Sequence, residues 1–343
     1  MTVLLTGGCG YIGSHAAIAL MEAGHEPILA DDFRNSSHSV PMRIGHITGK
    51  VPAFYDCDVC DRAALDKIFA ENEIDCVIHF AGDRDLAYAA EAPMRCYREN
   101  VGSALSVLEA MARHSCPNFV YISSAAVYGP GAQVPFDELE PITDAASPYG
   151  RSVICVERLV EDAVRSCGLS ALILRCFNPA GAHPSGLLGE FTRRTPGNLM
   201  AQIARVASGE LDYLRLFGDD FPTADGTGVR DFVHVMDVAR ACVNAVEYAQ
   251  AHEGCMVVNV GSGRGTSVLE LLSTFERVSG VSVPYAVAPK REGDAAECFA
   301  ETVRSVGVLE WQPKLTLEDM CRDAWHWQRK LSEMMRYAER DVV

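Results

Sequence analysis

The opening 31 residues limit the fold more than any other stretch of the chain. Thr2–Thr6 is a short apolar run, and Gly7-Gly8-Cys9-Gly10-Tyr11-Ile12-Gly13 follows it directly. Ile12–Ala23 then reads as a helix stopped by Gly24, and a second apolar run, Pro27–Ala30, ends in Asp31. The order is strand, glycine turn, helix, strand, acid. The glycines fall at G-x-x-G-x-x-G rather than G-x-G-x-x-G, yet Gly7, Gly10 and Gly13 meet the same physical needs. They allow a tight turn, bring a pyrophosphate close to backbone, and aim a helix N-terminus at it. An acid about 20 residues on can bind a ribose 2′-hydroxyl. Asp31 and Asp32 together repel a 2′-phosphate and favour NAD over NADP, with Arg34 as the one nearby charge that opposes this preference.

The alternation continues along the chain. Val51–Tyr55 is extended, Arg62–Asn72 helical, and Asp75–Ala81 a buried strand ending in Gly82. Pro93–His114 reads as a long helix, Asn118–Ser124 as a strand, Pro148–Cys167 as a helix and Leu169–Phe177 as a strand. Strands alternating with helices of that length predict βαβ units and a Rossmann-type α/β fold with a doubly wound parallel sheet, whose ligands sit at the carboxyl ends of the strands. Ser123, Ser124, Gly82 and Asn178 fall there. After Asn178 the texture changes: Pro, Gly and charged residues interrupt Pro179–Gly197, and Ser208–Asp231 is loop-rich. Helical stretches return at Val235–Gln250 and Ser267–Ser279. The expectation is a dinucleotide-binding domain over 1–178 and a smaller mixed α/β substrate region over 179–343, with a soft boundary.

Composition removes other classes. The 343 residues carry 30 basic and 46 acidic side chains, a net charge of −16, whereas a nucleic-acid partner calls for a basic stripe or patch. Apolar residues make up 48% and charged ones 22%, enough for a large core without metals or cross-links. The longest apolar runs fall well short of the ~20 residues of a membrane span, and the first Lys or Arg is Arg34, so no secretory signal is visible. Thirteen cysteines, an odd number scattered over the chain, suit reduced thiols and a cytoplasmic location.

Further motifs carry a resemblance. Thr6-Gly7-Gly8-Cys9-Gly10-Tyr11-Ile12-Gly13-Ser14-His15 resembles the opening of the UDP-glucose 4-epimerases, within the extended short-chain dehydrogenase/reductases. The resemblance continues through Val77–Gly82, Ser147-Pro148-Tyr149-Gly150, Arg175, Phe177-Asn178-Pro179, Asp225–Asp231, Arg291-Glu292-Gly293-Asp294 and Trp325–Gln328. It covers roughly residues 2–330. It implies a bound NAD that takes hydride from C4 of a UDP-sugar and returns it to the other face of a 4-keto sugar. By resemblance, Tyr149 is the acid/base and Ser124 its hydrogen-bonding partner at the sugar oxygen. Asn178, Asn198, Leu199, Arg230, Arg291 and Asp294 would hold the UDP-sugar. Tyr11, Ile12, Asp31, Asn35, Ser36, Asp58, Val59, Phe80, Ala81, Gly82 and Phe177 would line the NAD, with Tyr149 reaching it. The family also implies a homodimer through the helices at Pro93–His114 and Pro148–Cys167.

The chain departs from the family pattern where the chemistry is most demanding. A free tyrosine has a pKa near ~10, so it is a poor base at neutral pH unless a cation stabilises the phenolate. The family supplies a lysine four residues on, which four helical steps of ~100° bring back beside the tyrosine. Here that position is Val153, and Arg151 points about 200° away. Arg84 stands at another family lysine, flanked by Asp83 and Asp85, while Glu99 and Asp32 replace asparagines. The expectation is an unusually acidic cofactor pocket.

Three functions stay open: a 4-epimerase with weakened chemistry or with Arg84 supplying part of the missing field; another NAD-assisted nucleotide-sugar conversion, such as a dehydratase, oxidase or decarboxylase step; and an inactive homologue, or a variant whose lysine has been replaced, that binds both ligands without turnover. Retention of Tyr149 and Ser124 favours chemistry. The family's gate residue aligns with Cys298, whose small thiol leaves room for an acetamido group, so UDP-GlcNAc/UDP-GalNAc are expected to enter as well as UDP-Glc/UDP-Gal; a core thiol is the plain alternative. Cys57-Asp58-Val59-Cys60 reads as a cofactor loop rather than a redox pair, and no metal site is expected. His79 and His234 read as hydrogen-bonding core and loop residues, and Trp311, Trp325 and Trp327 as packing.

Overall fold

The computed structural model describes residues 1–129, 131–193, 197–291 and 293–340. In chain order the strands are β1 (Thr2–Thr6), β2 (Glu26–Asp31), β3 (Ala53–Asp56), β4 (Cys76–His79), β5 (Asn118–Ser124), β6 (Ser170–Cys176), β7 (Asn178–Ala180), β8 (Leu214–Phe217), β9 (Val229–His234), β10 (Cys255–Val260), β11 (Gly265–Ser267), β12 (Tyr285–Ala288) and β13 (Glu297–Cys298). The helices are α1 (Tyr11–Glu22), α2 (Val40–Thr48), α3 (Arg62–Glu71), α4 (Leu86–Glu91), α5 (Pro93–His114), α6 (Pro148–Cys167), α7 (Leu199–Ala207), α8 (Val235–Ala251), α9 (Val268–Ser279), α10 (Val303–Leu309) and α11 (Leu317–Arg340).

A seven-stranded parallel sheet in the order β10-β6-β5-β4-β1-β2-β3 forms the centre. Its inner strands are apolar on both faces because both are covered, while the edge strand β3 is largely exposed. Val3, Leu5, Ile78, Val120 and Leu172 pack with α1 and α8, while Leu4, Val77, Phe119, Tyr121 and Ile173 pack with α5 and α6. The alternation is the two-residue period of a strand. The order of the strands reverses between β4 and β1, which opens a crevice at their carboxyl ends.

The sequence-based elements match closely in this half, and α6 has the expected bounds. Two short helices, α2 and α4, were not anticipated; each has only a turn or two of pattern. The division of the chain is also less simple than a cut at 178. After leaving the central sheet the chain returns to it: β10 pairs with β6 as an edge strand, and α8 packs on α1. Parallel strands need a helical crossover, so residues 235–260 complete the cofactor half from beyond the expected boundary. What remains forms two small sheets, β9 flanked by β11, β13 and β7, and β8 beside β12. They stand with α7, α9 and α11 around their own apolar cluster. Among the described residues no helix is long and apolar enough to cross a membrane.

Candidate active site

The glycine turn is held by Gly7 N–H on Ala30 O at 2.7 Å and Gly10 N–H on Gly7 O at 3.1 Å. Gly7 has φ +71°, and a Cβ there would lie 2.8 Å from Ala81 N; one on Gly13 would lie 2.6 Å from Gly7 O. No side chain caps α1 at Gly10, so its first-turn N–H groups face outward for an anion. A small cavity of about 40 Å³ opens on this turn, lined by Cys9, Gly10, Tyr11, Ser36, Arg43 and Trp327 among others. Nothing in the sequence places Arg43 at this turn, and Trp327 reads there only as a packing residue. Trp327 lies on α11, almost 320 residues from the turn, and reaches it by packing its ring on Gly189 and donating Nε1–H to Glu190 O at 2.9 Å.

Asp31 is buried at the end of β2. Its Oδ1 accepts from Phe33 N and Ser36 Oγ and its Oδ2 from Cys9 N, at 3.0, 2.7 and 3.0 Å. Burial raises its pKa, and these donors oppose that. A carboxylate has about four acceptor sites, so one remains for a ribose hydroxyl. Asn35 instead turns its Oδ1 to Thr192 Oγ1 and Arg193 N. Asp58 caps Cys60 N, and Val59, Phe80 and Phe177 are buried around the strand ends. The residues present fit an NAD: a cradle that a Cβ would fill, an uncapped helix end, and an acid with one acceptor site to spare.

The extra acids of the pocket do not stand alone. Arg34 pairs with Asp32, with Glu99 at 3.1 Å and with Asp58 at 3.8 Å. Asp85 caps α4 through Ala87 N and Tyr88 N, and Asp83 Oδ1 accepts from Asp85 N. The expected acidity is therefore partly cancelled, and Arg34, engaged by three carboxylates, is not left to favour a 2′-phosphate. Arg84 turns inward and donates to Ile122 O at 3.0 Å, at the end of β5. It has no carboxylate partner among the described residues. Its charge is felt at His79 and Cys176, on the ends of β4 and β6, and at Tyr121 within β5.

Tyr149 sits in the first turn of α6, after Pro148, and Ser147 Oγ caps the helix at Gly150 N. That turn is pressed against the short 3₁₀ turn Ala125–Val127 that follows Ser124, and a Cβ at position 150 would lie 2.5 Å from Ala126 O. Gly150 thus allows the close approach of the first turn of α6, which bears Tyr149, to the turn that follows β5. Ser124 Oγ accepts from Ala126 N at 3.2 Å. Val153 is buried in the same apolar cluster as Tyr149 and Tyr121. One turn further, Glu157 forms a buried ion pair with Arg175 at 2.8 Å and accepts from Ser123 Oγ, tying α6 to β5 and β6.

The second group of expected residues gathers on the smaller sheets. Asn178 on β7 and Cys298 on β13 flank β9, where Cys298 pairs with Arg230. Arg230 lies 3.6 Å from Asp294, and the Arg291 guanidinium stacks 3.9 Å from the Phe217 ring. Asn198 caps α7 at Met200 N, ahead of Leu199, and donates to Pro179 O. Burial pushes the Cys298 thiol up to about 11. Glu292 lies outside the described residues. His79 bridges Thr6 Oγ1 and Ser103 Oγ, and His234 faces Asp323, as expected of hydrogen-bonding core residues. Cys57 and Cys60 are unbonded, and burial with neighbouring carboxylates pushes both up to about 11. Among the described residues no three or more His, Cys, Asp or Glu side chains form a group able to hold a metal ion.

A dinucleotide crevice whose edge carries a tyrosine and a serine, faced by a second group of polar and basic residues, defines an NAD-binding α/β enzyme acting on a second ligand. Comparison with known proteins narrows this. The NAD dependent epimerase/dehydratase family matches residues 3–261. The UDP-glucose 4-epimerase of Bacillus subtilis is 44% identical over 96% of this chain and 97% of its own length. A crystal structure of the enzyme from Stenotrophomonas maltophila with bound NAD and formylated UDP-arabinopyranose superimposes with TM-score 0.94 at 43% identity, covering 97% of this chain and 99% of that one. The Bifidobacterium longum enzyme in complex with NAD+ and UDP gives 0.93 at 41% identity, covering 96% and 98%. The chain belongs to the NAD dependent epimerase/dehydratase family and, within it, to the UDP-glucose 4-epimerases, isomerases whose cofactor is NAD.

Proposed function

We propose that the protein interconverts UDP-Glc and UDP-Gal through a 4-keto intermediate, with weakened acid/base chemistry. The observation that carries this reading is the packing of the first turn of α6, which bears Tyr149, on the 3₁₀ turn that follows Ser124, in a fold whose crevice fits NAD. When bound, NAD supplies the acceptor and donor for the C4 hydride. Tyr149 takes the proton of the sugar 4-hydroxyl and gives it back, and Ser124 holds the sugar oxygen. Asn178, Asn198, Leu199, Arg230, Arg291 and Asp294 hold the UDP-sugar; Gly7, Gly10, Tyr11, Ile12, Gly13, Asp31, Asn35, Ser36, Asp58, Val59, Phe80, Ala81, Gly82, Arg84 and Phe177 line the cofactor. We assign 1–178 mainly to cofactor binding and 179–343 mainly to the UDP-sugar, with 235–260 returning to the cofactor half.

Val153 is buried and carries no charge, so the field at Tyr149 comes from elsewhere. Arg84, inward-facing and without a carboxylate partner among the described residues, supplies part of it. A guanidinium is planar and diffuse where the family uses a compact ammonium, so the replacement is incomplete. Cys298, half-buried beside Arg230, leaves space for an N-acetyl group, so UDP-GlcNAc and UDP-GalNAc are substrates too. The active form is a cytoplasmic homodimer through α5 and α6; Met94 and Leu105 on α5 are 72% and 44% exposed.

The test is to incubate purified protein with UDP-galactose, and separately UDP-GalNAc, and follow the anomeric protons by NMR. Formation of the C4 epimer upholds the reading. A new product without the epimer points to a dehydratase, oxidase or decarboxylase step, and binding without product points to an inactive homologue, the outcome that Val153 favours.

A further inference from the structure

The Arg34 cluster connects parts of the fold that the sheet keeps apart. Arg34 and Asp32 lie at the tip of β2, Asp58 at the tip of β3, and Glu99 on α5, which follows β4. In the sheet, β1 stands between β4 and β2. The Arg34–Glu99 contact, 3.1 Å long, therefore spans the crevice across the side of the β1 tip, where the glycine turn receives a pyrophosphate. Glu99 is the anchor. Its side chain is only 15% exposed and is also held by Arg95 at 2.8 Å from within α5, whereas Arg34 is 53% exposed.

The facing charges comprise three carboxylates, Asp32, Asp58 and Glu99, against two guanidiniums, Arg34 and Arg95. Arg34 is the one that joins all three segments. From this arrangement we infer that Arg34 and Glu99 form a clasp over the adenosine end of the crevice that retains NAD, so that release of the cofactor requires the pair to open.

The clasp and simple electrostatics predict opposite results for one substitution. Glu99→Gln removes a negative charge next to an anionic cofactor, so the field alone would hold NAD more tightly. If the pair is a clasp, the same change loosens it. A half-exposed pair supports a modest effect, about 2- to 5-fold in the release rate. Salt screens such a contact, so release from the unaltered protein should also accelerate between 0.05 and about 1 M NaCl.

The experiment loads the full-length protein with radiolabelled NAD, adds excess unlabelled NAD, and follows the label retained through rapid desalting. The expected result is faster release from Glu99→Gln at low salt and loss of most of the salt dependence in that variant. Release from Glu99→Gln that equals or is slower than that of the unaltered protein would overturn the clasp. So would release from the unaltered protein that high salt leaves unchanged, a measurement that needs no variant.

Discussion

Replacing Val153 by lysine tests the chemistry at its weakest point. Val153 lies one helical turn after Tyr149 on the same face of α6, and both are buried in one cluster. A lysine there would extend along that face with its ammonium beside the phenol. An opposite charge within ~4–6 Å lowers an acid's pKa by about 1–3 units. Each unit gives tenfold more of the base form at neutral pH, so the expected gain in kcat is about 10- to 1,000-fold. The limb of the pH–rate profile that reports the phenol should move toward neutrality by the same number of units. The larger side chain carries a cost, since overpacking a well-packed site destabilises by about 1–3 kcal/mol, and the melting temperature should fall by a few degrees. The assay is the anomeric-proton NMR of UDP-galactose turnover between pH 6 and 10, with bound NAD measured on the same samples. The reasoning fails if the variant keeps its NAD and fold yet turns over no faster, with an unmoved profile. Tyr149 would then not be limited by a missing cation.

Cys298→Tyr should suppress turnover of UDP-GalNAc by about tenfold or more while sparing UDP-galactose, because a phenol fills the space proposed for the acetamido group; equal loss on both sugars would remove the gate. Glu157→Gln leaves Arg175 buried without its counter-charge and should cost about 3–5 kcal/mol, so a thermal melt within about 2 °C of the unaltered protein would contradict the buried pair. His15 is fully buried and burial pushes it down to about 3, so the folded state keeps it neutral while the unfolded chain protonates it near 6.5. Because the unfolded chain binds more protons, this contribution is complete above the unfolded value and is lost as pH falls from 6.5 toward 3. His15→Gln should therefore lose less stability between pH 7.5 and 5.5 than the unaltered protein, by about 1.4 kcal/mol; equal losses would show that His15 does not titrate this way.

Much of the fold was legible locally. The glycine turn, the helix after it and Asp31 form a continuous segment whose conformation follows from φ preference, helix stop signals and alternation. The strand ends could be located because parallel strands covered on both faces are uninterrupted apolar runs. The match failed where the information is not local. Nothing in Cys255–Val260 marks it as the edge of the first sheet rather than part of the second region; that depends on a crossover helix delivering it beside β6.

The site divides in the same way. Tyr149, Val153 and Glu157 share one face of α6 by helical periodicity alone, so the absence of a lysine one turn after Tyr149 is a property of the sequence. Asp32 and Glu99 likewise announce added negative charge. Whether that charge is free cannot be read from order along the chain, because its partner Arg34 lies 65 residues from Glu99. Packing of α5 against the strand tips makes them neighbours. Trp327 and Arg43 come to the glycine turn, and Arg84 turns inward to β5, for the same reason. Sequence determines which chemical groups exist and how a single element presents them. Contacts between elements depend on how their buried faces pack together, and that is decided only when the whole core forms.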